Sequence, residues 1–462
     1  KAIMNNLLFI FATVFSLFGL VYFFIAWKAS RGVTSKKDYF LAGKNLGILA
    51  VTFTLVATQL GSGTLVGTPQ KAYTIGLYGI FYVLGVSIGF LLLASGFASR
   101  LQSLKVATTA EIFEKKYSSI ALKKFASILS IVTLCGILVA QVIALKVVLS
   151  SIGVTHQVFF ILFWLFIVAY TMVGGLKAVV LTDLFQVMFI LVVFGGLAIW
   201  SFFGESTGII STILESQKGS VFSGNFLSFL PVLIFPAMFS LIEQDLAQKF
   251  FAAKSKRVAM LSALYASIIM LCFSFIPLYF GIKTRLLNLF VSAGANPLVV
   301  FLKYSVGDVV FVLAIFGIIA AITSTADSML CAVSSNLSQD FDFKFLRNVN
   351  GLTLSKVITL VIGLGALGVS YFVPGDVIDI IVSSYTIMVS CLFVSTVFAL
   401  FKKRLSRIAA VYSVVSGAVA FVAMKFFSVG VVTDFVPVFV SLAGYFVGEY
   451  VEASCLKQCE KN

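Results

Sequence analysis

Apolar runs of about 20 residues recur from one end of this chain to the other, each long enough to cross about 30 Å of hydrocarbon as a helix. In hydrocarbon the backbone polar groups must bond within their own segment or in a closed barrel, so runs of this length fold as helices. We delimit about thirteen: 6–27, 48–70, 78–99, 125–150, 156–174, 178–203, 226–248, 258–282, 308–337, 355–373, 377–400, 406–426 and 432–450. With 60% hydrophobic and 11% charged residues, the composition is that of a polytopic membrane protein and not of a soluble domain. The first run is too long for a signal-peptide core and no small-residue cleavage site follows it, so it reads as a retained helix. No low-complexity linker divides the chain, and residues 1–462 read as one all-α integral membrane domain.

The formal net charge of +15 invites a nucleic-acid reading, but the charges have a simpler order. If the N-terminus is outside, about 25 of the 33 Lys and Arg fall in inner loops, among them Lys28, Arg31, Lys36, Lys37, Lys44, Lys249, Lys254, Lys256, Arg257, Lys402, Lys403 and Arg404. The positive-inside rule then places the C-terminus in the cytoplasm, as an odd number of spans requires. The expected location is the cell inner (plasma) membrane, the expected surround a lipid bilayer, and no nucleic-acid partner is implied.

Cys135, Cys272, Cys331 and Cys391 fall within apolar spans as small packing residues, and Cys455 and Cys459 in an expected cytoplasmic tail, where lipidation is the one chemistry to consider. The lone histidine, His156, lies at a short outer loop, so no zinc-ligand set exists and no catalytic acid–base or metal constellation stands in the spans. A membrane enzyme is therefore not expected.

Two spans carry helix breakers at their middles. The second has Gly61, Gly63, Gly67 and Pro69; the seventh has Pro231 and Pro236 ahead of Ser240 and the polar run Glu243-Gln-Asp245. They are five spans apart, and paired broken helices at corresponding places point to an inverted-repeat transporter. Thr58, Gln59 and Ser62 fall in the first break and are candidates for solute contact. The ninth span contains Ala320-Ala-Ile-Thr-Ser-Thr-Ala-Asp-Ser328. There Ala321, Ser324, Thr325 and Ser328 recur at i, i+3, i+4 and i+7, one face of one helix, with Asp327 beside them. Oxygen-rich faces and carboxylates inside a bilayer are costly and mark ion or solute pathways. Lys146 reads as a snorkelling side chain, and Phe53, Tyr73, Tyr82 and Tyr385 as candidate aromatic gates.

Four ordered stretches resemble the sodium/solute symporter family, which includes sodium-coupled proline, pantothenate, sialic acid and sugar transporters. They are Lys37-Asp-Tyr-Phe-Leu-Ala-Gly-Lys-Asn-Leu-Gly47, Gly174-Gly-Leu-Lys-Ala-Val-Val-Leu-Thr-Asp-Leu-Phe-Gln186, Glu243-Gln-Asp-Leu-Ala-Gln-Lys-Phe-Phe-Ala-Ala-Lys-Ser255, and the ninth-span run. The resemblance implies the leucine-transporter fold. Two inverted five-helix repeats would span 48–203 and 226–400, with an extra helix at 5–27 and two at 406–450. It implies a sodium site formed by backbone carbonyls of Ala57, Leu60 and Ala321 and the hydroxyls of Ser324 and Thr325. Some relatives add a second sodium site, which maps to Asp183, Ser324 and Ser328. Here Asp327 replaces an intervening serine, so the second ion is in question. Glu243 and Gln244 match solute-contacting positions, and Gln141 one that lines the solute cavity; Ser240 joins them on the broken seventh span.

The expected function is sodium-coupled import of a small polar organic solute by alternating access: an amino acid such as proline, or an organic acid or vitamin such as pantothenate. A sugar or sialic acid symporter of the same fold, or a transporter-like sensor or membrane enzyme, is the alternative. Sodium is the expected coupling ion, and the chain is expected to act as a monomer.

Overall fold

A computed structural model describes residues 2–31, 35–154, 156–204, 226–292, 294–342, 351–426 and 431–459. The described chain is built from helices. Helix α1 (Ala2–Ser30) leads into the short α2 (Lys36–Leu41). The first broken span follows, with α3 (Ile48–Gln59), a stretch of wide helical turns over 63–67, and α4 (Thr68–Ile75). Helices α5 (Phe81–Leu92), α6 (Ala98–Ser103), α7 (Ala110–Tyr117), α8 (Ile120–Ser151) and α9 (Gln157–Gly204) complete this half. The second broken span is α10 (Phe226–Ser240) and α11 (Gln244–Ala252). After it come α12 (Lys256–Leu286), α13 (Pro297–Ser305), α14 (Asp308–Asp340), α15 (Gly351–Val369), α16 (Val377–Phe401), α17 (Arg407–Phe426) and α18 (Val436–Cys459).

Among the described residues, nine helices are long and apolar enough to cross a membrane, and Thr13–Ala29, Ile48–Gln59 and Gln157–Met172 are shorter apolar ones. The expected second span, 48–70, is divided by its break. Two others, 156–174 and 178–203, join into the single α9 across a kink at Gly175. Helix α18 runs on to Cys459, so the expected tail cysteine Cys455 sits on a helix, exposed.

Local chemistry sets the helix starts. Ser119 and Ser255 accept the backbone N–H groups of Leu122 and Val258 and so cap α8 and α12. Asn296 caps α13, whose first residue is Pro297. Far from each other in sequence, the loop of the first family-like motif and the end of the third meet as a parallel bridge. The Leu46 N–H donates to the Ala252 carbonyl at 3.1 Å and the Lys254 N–H to the Leu46 carbonyl at 3.0 Å.

The middle of the bundle is α14, buried from Phe311 through Asn336 apart from one half-buried position, Leu313. It packs on α8, α9, α3 and α15, and α3 in turn lies against α9 and α12. Helix α14 thus carries its polar run through the protein interior, where each oxygen needs a partner.

Gly175 makes the kink in α9 at φ +56°, ψ −156°, a conformation that a side chain resists. A Cβ there would also lie 2.5 Å from the Tyr39 carbonyl oxygen. Replacing Gly175 by Ala is expected to cost about 1–3 kcal/mol through strain and overpacking. A drop of several degrees in the melting temperature of the purified protein would register it; an unchanged melting curve would show that α9 bends without needing this glycine.

Candidate ion and solute site

An α-helix leaves its last four carbonyls without partners inside the helix. Helix α3 ends at Gln59, in the middle of the bundle, so those carbonyls face protein and not water. Val56 accepts the Leu60 N–H at 2.8 Å, Ala57 the Ser324 hydroxyl at 2.8 Å, Thr58 the Thr325 hydroxyl at 2.7 Å, and Gln59 the Thr64 hydroxyl at 2.7 Å. Ser324 and Thr325 also reach the Ala321 carbonyl, at 2.9 and 3.2 Å. Four of the five sequence-assigned sodium ligands, Ala57, Ala321, Ser324 and Thr325, therefore meet at the negative end of the α3 dipole, a place that favours a cation. Leu60 is buried at the break, but the α14 hydroxyls turn to Ala57 and Thr58 and not to its carbonyl. Gly61 permits the approach: a Cβ on it would overlap the Thr325 hydroxyl.

The residues assigned to a second ion are spread more widely. Asp183, wholly buried, accepts a short hydrogen bond from Thr54. With its amide nitrogen toward Asp183, Gln186 adds a 3.3 Å donor. Asp327 turns away from α3 and accepts Tyr170 and Thr171, each at 2.5 Å. Ser328 meets the Thr58 hydroxyl at 2.9 Å. Among the described residues no hydrogen bond joins Asp183 to Ser324, Asp327 or Ser328.

Lys249, expected in an inner loop, is instead wholly buried on α11. Its Nζ donates to the Thr58 hydroxyl in a short hydrogen bond and to Ser328 at 3.1 Å, and lies 3.6 Å from Asp245. Charge counting by position overlooked it because the residues after a break can still lie deep in the bundle.

Beside the helix breaks is a narrow polar cavity of about 10 Å³, room for about one water. Thr58, Gln59, Ser62, Gln141 and Glu243, all expected to contact solute, line it. Tyr82 and Tyr385, two of the four expected gate aromatics, join their hydroxyls at 3.2 Å across it, and Phe239 stacks on Tyr385 at 4.1 Å. Tyr73 instead faces Arg285, and Phe53 packs at the edge of the apolar core. Ile137, Met329 and Ile381 also line the cavity; apolar residues among so many others had no sequence signal.

Two assignments are corrected. Ser240 bonds back to the Pro236 carbonyl at 2.8 Å and is not in the cavity wall. Gln244 is spent on the loop before α7, accepting the Thr109 N–H at 2.6 Å and donating to the Ala107 carbonyl at 3.3 Å. Lys146 is exposed, its ammonium 5.1 Å from the Tyr371 ring, as a snorkelling residue should be.

Glu243 differs from its neighbours. Gln59 donates to one of its oxygens at 3.1 Å; the other, Oε1, has no donor, and neither has the Ser62 hydroxyl a partner. Asp245 is close enough for the two carboxyl groups to interact, and it is buried without a hydrogen-bond donor as well.

Polar clusters close both ends of the bundle. At one, Lys71 pairs with Asp379 at 2.8 Å and Asp376 at 3.4 Å, half-exposed contacts worth about 0–1 kcal/mol each. At the other, buried Asp340 accepts Thr108 at 2.7 Å and Ser127 at 2.8 Å, and Lys123 stands 3.9 Å away, itself paired with Glu114 at 2.7 Å.

Two interrupted helices, one of them ending against the α14 hydroxyls, with a small polar cavity beside the breaks, are the features of a secondary transporter of the leucine-transporter fold. The family profile of the sodium:solute symporters matches residues 39–417, and the chain belongs to that family. A sodium/proline symporter of Staphylococcus aureus (strain JH9) is 24% identical over 452 residues, 89% of this chain and 84% of the relative. A sodium/glucose cotransporter of Vibrio parahaemolyticus is 29% identical over 172 residues, 35% of this chain, and a human sodium/iodide cotransporter 30% over 174 residues, also 35%. These two matches span only 30% and 25% of those relatives' lengths. Among solved structures, a substrate-bound, outward-open Na+-coupled sialic acid symporter superposes with a TM-score of 0.81 at 19% identity, covering 96% of this chain and 97% of that one. A nucleobase-cation-symport-1 family transporter in a closed conformation gives 0.59 at 12% identity, covering 91% and 96%. Both likenesses are of fold.

Proposed function

We propose that this protein is a sodium-driven importer of a small amino acid with a protonated amine, proline being the type case. The observation that carries the solute class is Glu243: a buried carboxylate on the cavity wall with one oxygen lacking a donor and a second carboxyl group nearby. A cationic group placed beside two crowded carboxyl groups favours their charged form and is held by it. The free Ser62 hydroxyl adds a polar contact. At about 10 Å³ the cavity is nearly closed down, so the walls must part to admit any organic solute.

Sodium would bind at Ala57, Ala321, Ser324 and Thr325 and hold α3 against α14. Because α3 and α14 both touch the cavity, ion and solute then favour the same arrangement, which is positive coupling. The half-exposed ion pairs at one end and the buried Asp340 cluster at the other would open in alternation. The chain is read as a plasma-membrane monomer, N-terminus outside and C-terminus inside, with repeats over 48–203 and 226–400. One sodium ion crossing about 100 mV contributes about 2.3 kcal/mol, and a tenfold gradient about 1.4 kcal/mol. Together they support about 500-fold accumulation of a net-neutral solute.

The test is a thermal-shift screen of amino acids, vitamins and sugars with sodium or choline, followed by uptake into proteoliposomes. A sodium-dependent shift with an amino acid, and uptake driven by an inward sodium gradient, is expected. A shift confined to sugars, sialic acid or pantothenate would replace the solute reading, and gradient-independent flux would replace symport.

A further inference from the structure

We propose that a groove on the flank of the bundle, walled by α8, α15 and α16, holds an acyl chain of a phospholipid whose phosphate meets Lys146. The groove measures about 810 Å³, against about 10 Å³ for the cavity at the helix breaks. Ile131 and Val139 line it from α8, Ile362 and Val369 from α15, and Ile380 and Ile387 from α16. Each pair is seven or eight residues apart, so the walls follow the helices for about 10–12 Å. Val132 and Val369 on its rim are exposed, so the groove opens sideways to what surrounds the spans, which is hydrocarbon. Glycine keeps it open. Gly363 of α15 has a packing role: a Cβ there would overlap Val168, and its carbonyl accepts the Trp164 indole N–H at 2.8 Å. Gly365, on the groove wall, has none, since a Cβ on it would meet no atom within 4 Å. Glycine inside a helix is destabilising relative to alanine, and the room it leaves here is groove.

Charge at the mouth selects the head group. Lys146 lies seven residues beyond Val139 on α8, two turns on along the same face. Its ammonium is 5.1 Å from the ring of Tyr371, which stands between the lining residues Val369 and Val373. Lysine beside tyrosine is the chemistry of a membrane–water interface, where lipid phosphates lie. The carboxylates at this end, Asp376 and Asp379, are paired with Lys71. Among the described residues none pairs with Lys146, so its charge is left to a phosphate. The groove also backs onto the cavity at the helix breaks. Gly136 and Ser384 line the groove, and their neighbours Ile137 and Tyr385 line the cavity. Helices α8 and α16 meet closely there, where a Cβ on Gly136 would lie 2.2 Å from the Ser384 hydroxyl. A chain packed behind that contact holds α16 on α8, with Tyr385 against Tyr82.

The inference depends on neither the ion nor the solute assignment, and its test uses lipid alone. Purified, delipidated protein is given dioleoyl phosphatidylglycerol, dioleoylglycerol with the same tails, or glycerol 3-phosphate without tails. Thermal shift and amide hydrogen exchange over α16 are read. We expect phosphatidylglycerol to raise the melting temperature most and to slow exchange over 377–387, dioleoylglycerol to do less, and glycerol 3-phosphate to do nothing. Gly365→Leu, which fills the groove, should lose most of the rise, and Lys146→Gln should lose only the advantage of phosphatidylglycerol over dioleoylglycerol. A full rise in Gly365→Leu overturns the groove as the site. Equal rises with the two lipids in the wild type, or an undiminished advantage in Lys146→Gln, overturns the phosphate contact. A rise with glycerol 3-phosphate alone overturns a lipid in favour of a soluble phosphate, and unslowed exchange overturns the hold on α16. If Gly365→Leu does not fold, Val369→Trp fills the groove from its exposed rim and is read the same way.

Discussion

Removing the Ser324 or the Thr325 hydroxyl should raise the sodium concentration for half-maximal binding or uptake about 10- to 100-fold, with the fold retained. Each hydroxyl bonds a carbonyl that α3 leaves open at its C-terminal end, Ala57 for Ser324 and Thr58 for Thr325. An interaction with a charged group is worth about 1.5–3 kcal/mol, and its loss appears directly in ion affinity. The structural cost is smaller, about 1 kcal/mol per neutral hydrogen bond, because the apolar packing of α14 on α3, α8 and α9 is untouched. Sodium titration of Ser324→Ala and Thr325→Ala, by thermal shift and by uptake, separates the two costs. An unchanged sodium dependence in both variants would remove the ion from this cluster, and loss of folded protein would make the hydroxyls structural. The double variant should lose more than either single one, since both hydroxyls also share the Ala321 carbonyl.

The hydroxyl face of the ninth span was legible because the bilayer makes its oxygens expensive, and the helical period alone lines up Ala321, Ser324, Thr325 and Ser328. The two breaks were legible for a similar reason: glycine and proline cluster at mid-span, where a continuous helix would otherwise satisfy its own backbone. What the pattern could not carry is partner choice. Thr325 turns to Thr58 and not Leu60, and Gln244 serves a loop, because such choices depend on where α7, α11 and α14 come to rest against one another. Asp327 shows the same limit. Its place beside the hydroxyl stripe suggested an ion ligand, yet it lies about 100° round the helix from Ser328 and faces α9, where Tyr170 and Thr171 receive it. Lys249 failed differently. Its charge fitted a cytoplasmic loop, and only the depth at which α10 ends and α11 begins places that charge inside the bundle.

Replacing Glu243 by Gln should weaken binding of an amine-bearing solute about 30- to 5,000-fold while moving sodium affinity, measured without solute, by less than about 3-fold. Truncating one partner of a buried hydrogen-bonded charge pair costs about 2–5 kcal/mol, much of it from leaving the other charge unpaired. Glutamine keeps the size of the side chain and can keep a contact with Gln59, which now donates to the carboxylate at 3.1 Å, so the cavity wall should survive. The variant also removes one of two carboxyl groups buried side by side with oxygens that lack donors, which by itself should not cost the fold. A melting temperature equal to or above that of the wild type is therefore expected together with the lost affinity, a pairing that general damage to the site would not produce. The comparison is made with the best amino-acid ligand and its uncharged N-acyl analogue. Wild type should prefer the amine strongly and Glu243→Gln should lose most of that preference. Equal loss for both ligands would assign Glu243 to cavity shape, and no loss for either would move the solute's cationic group to another part of the cavity, away from the break between α10 and α11.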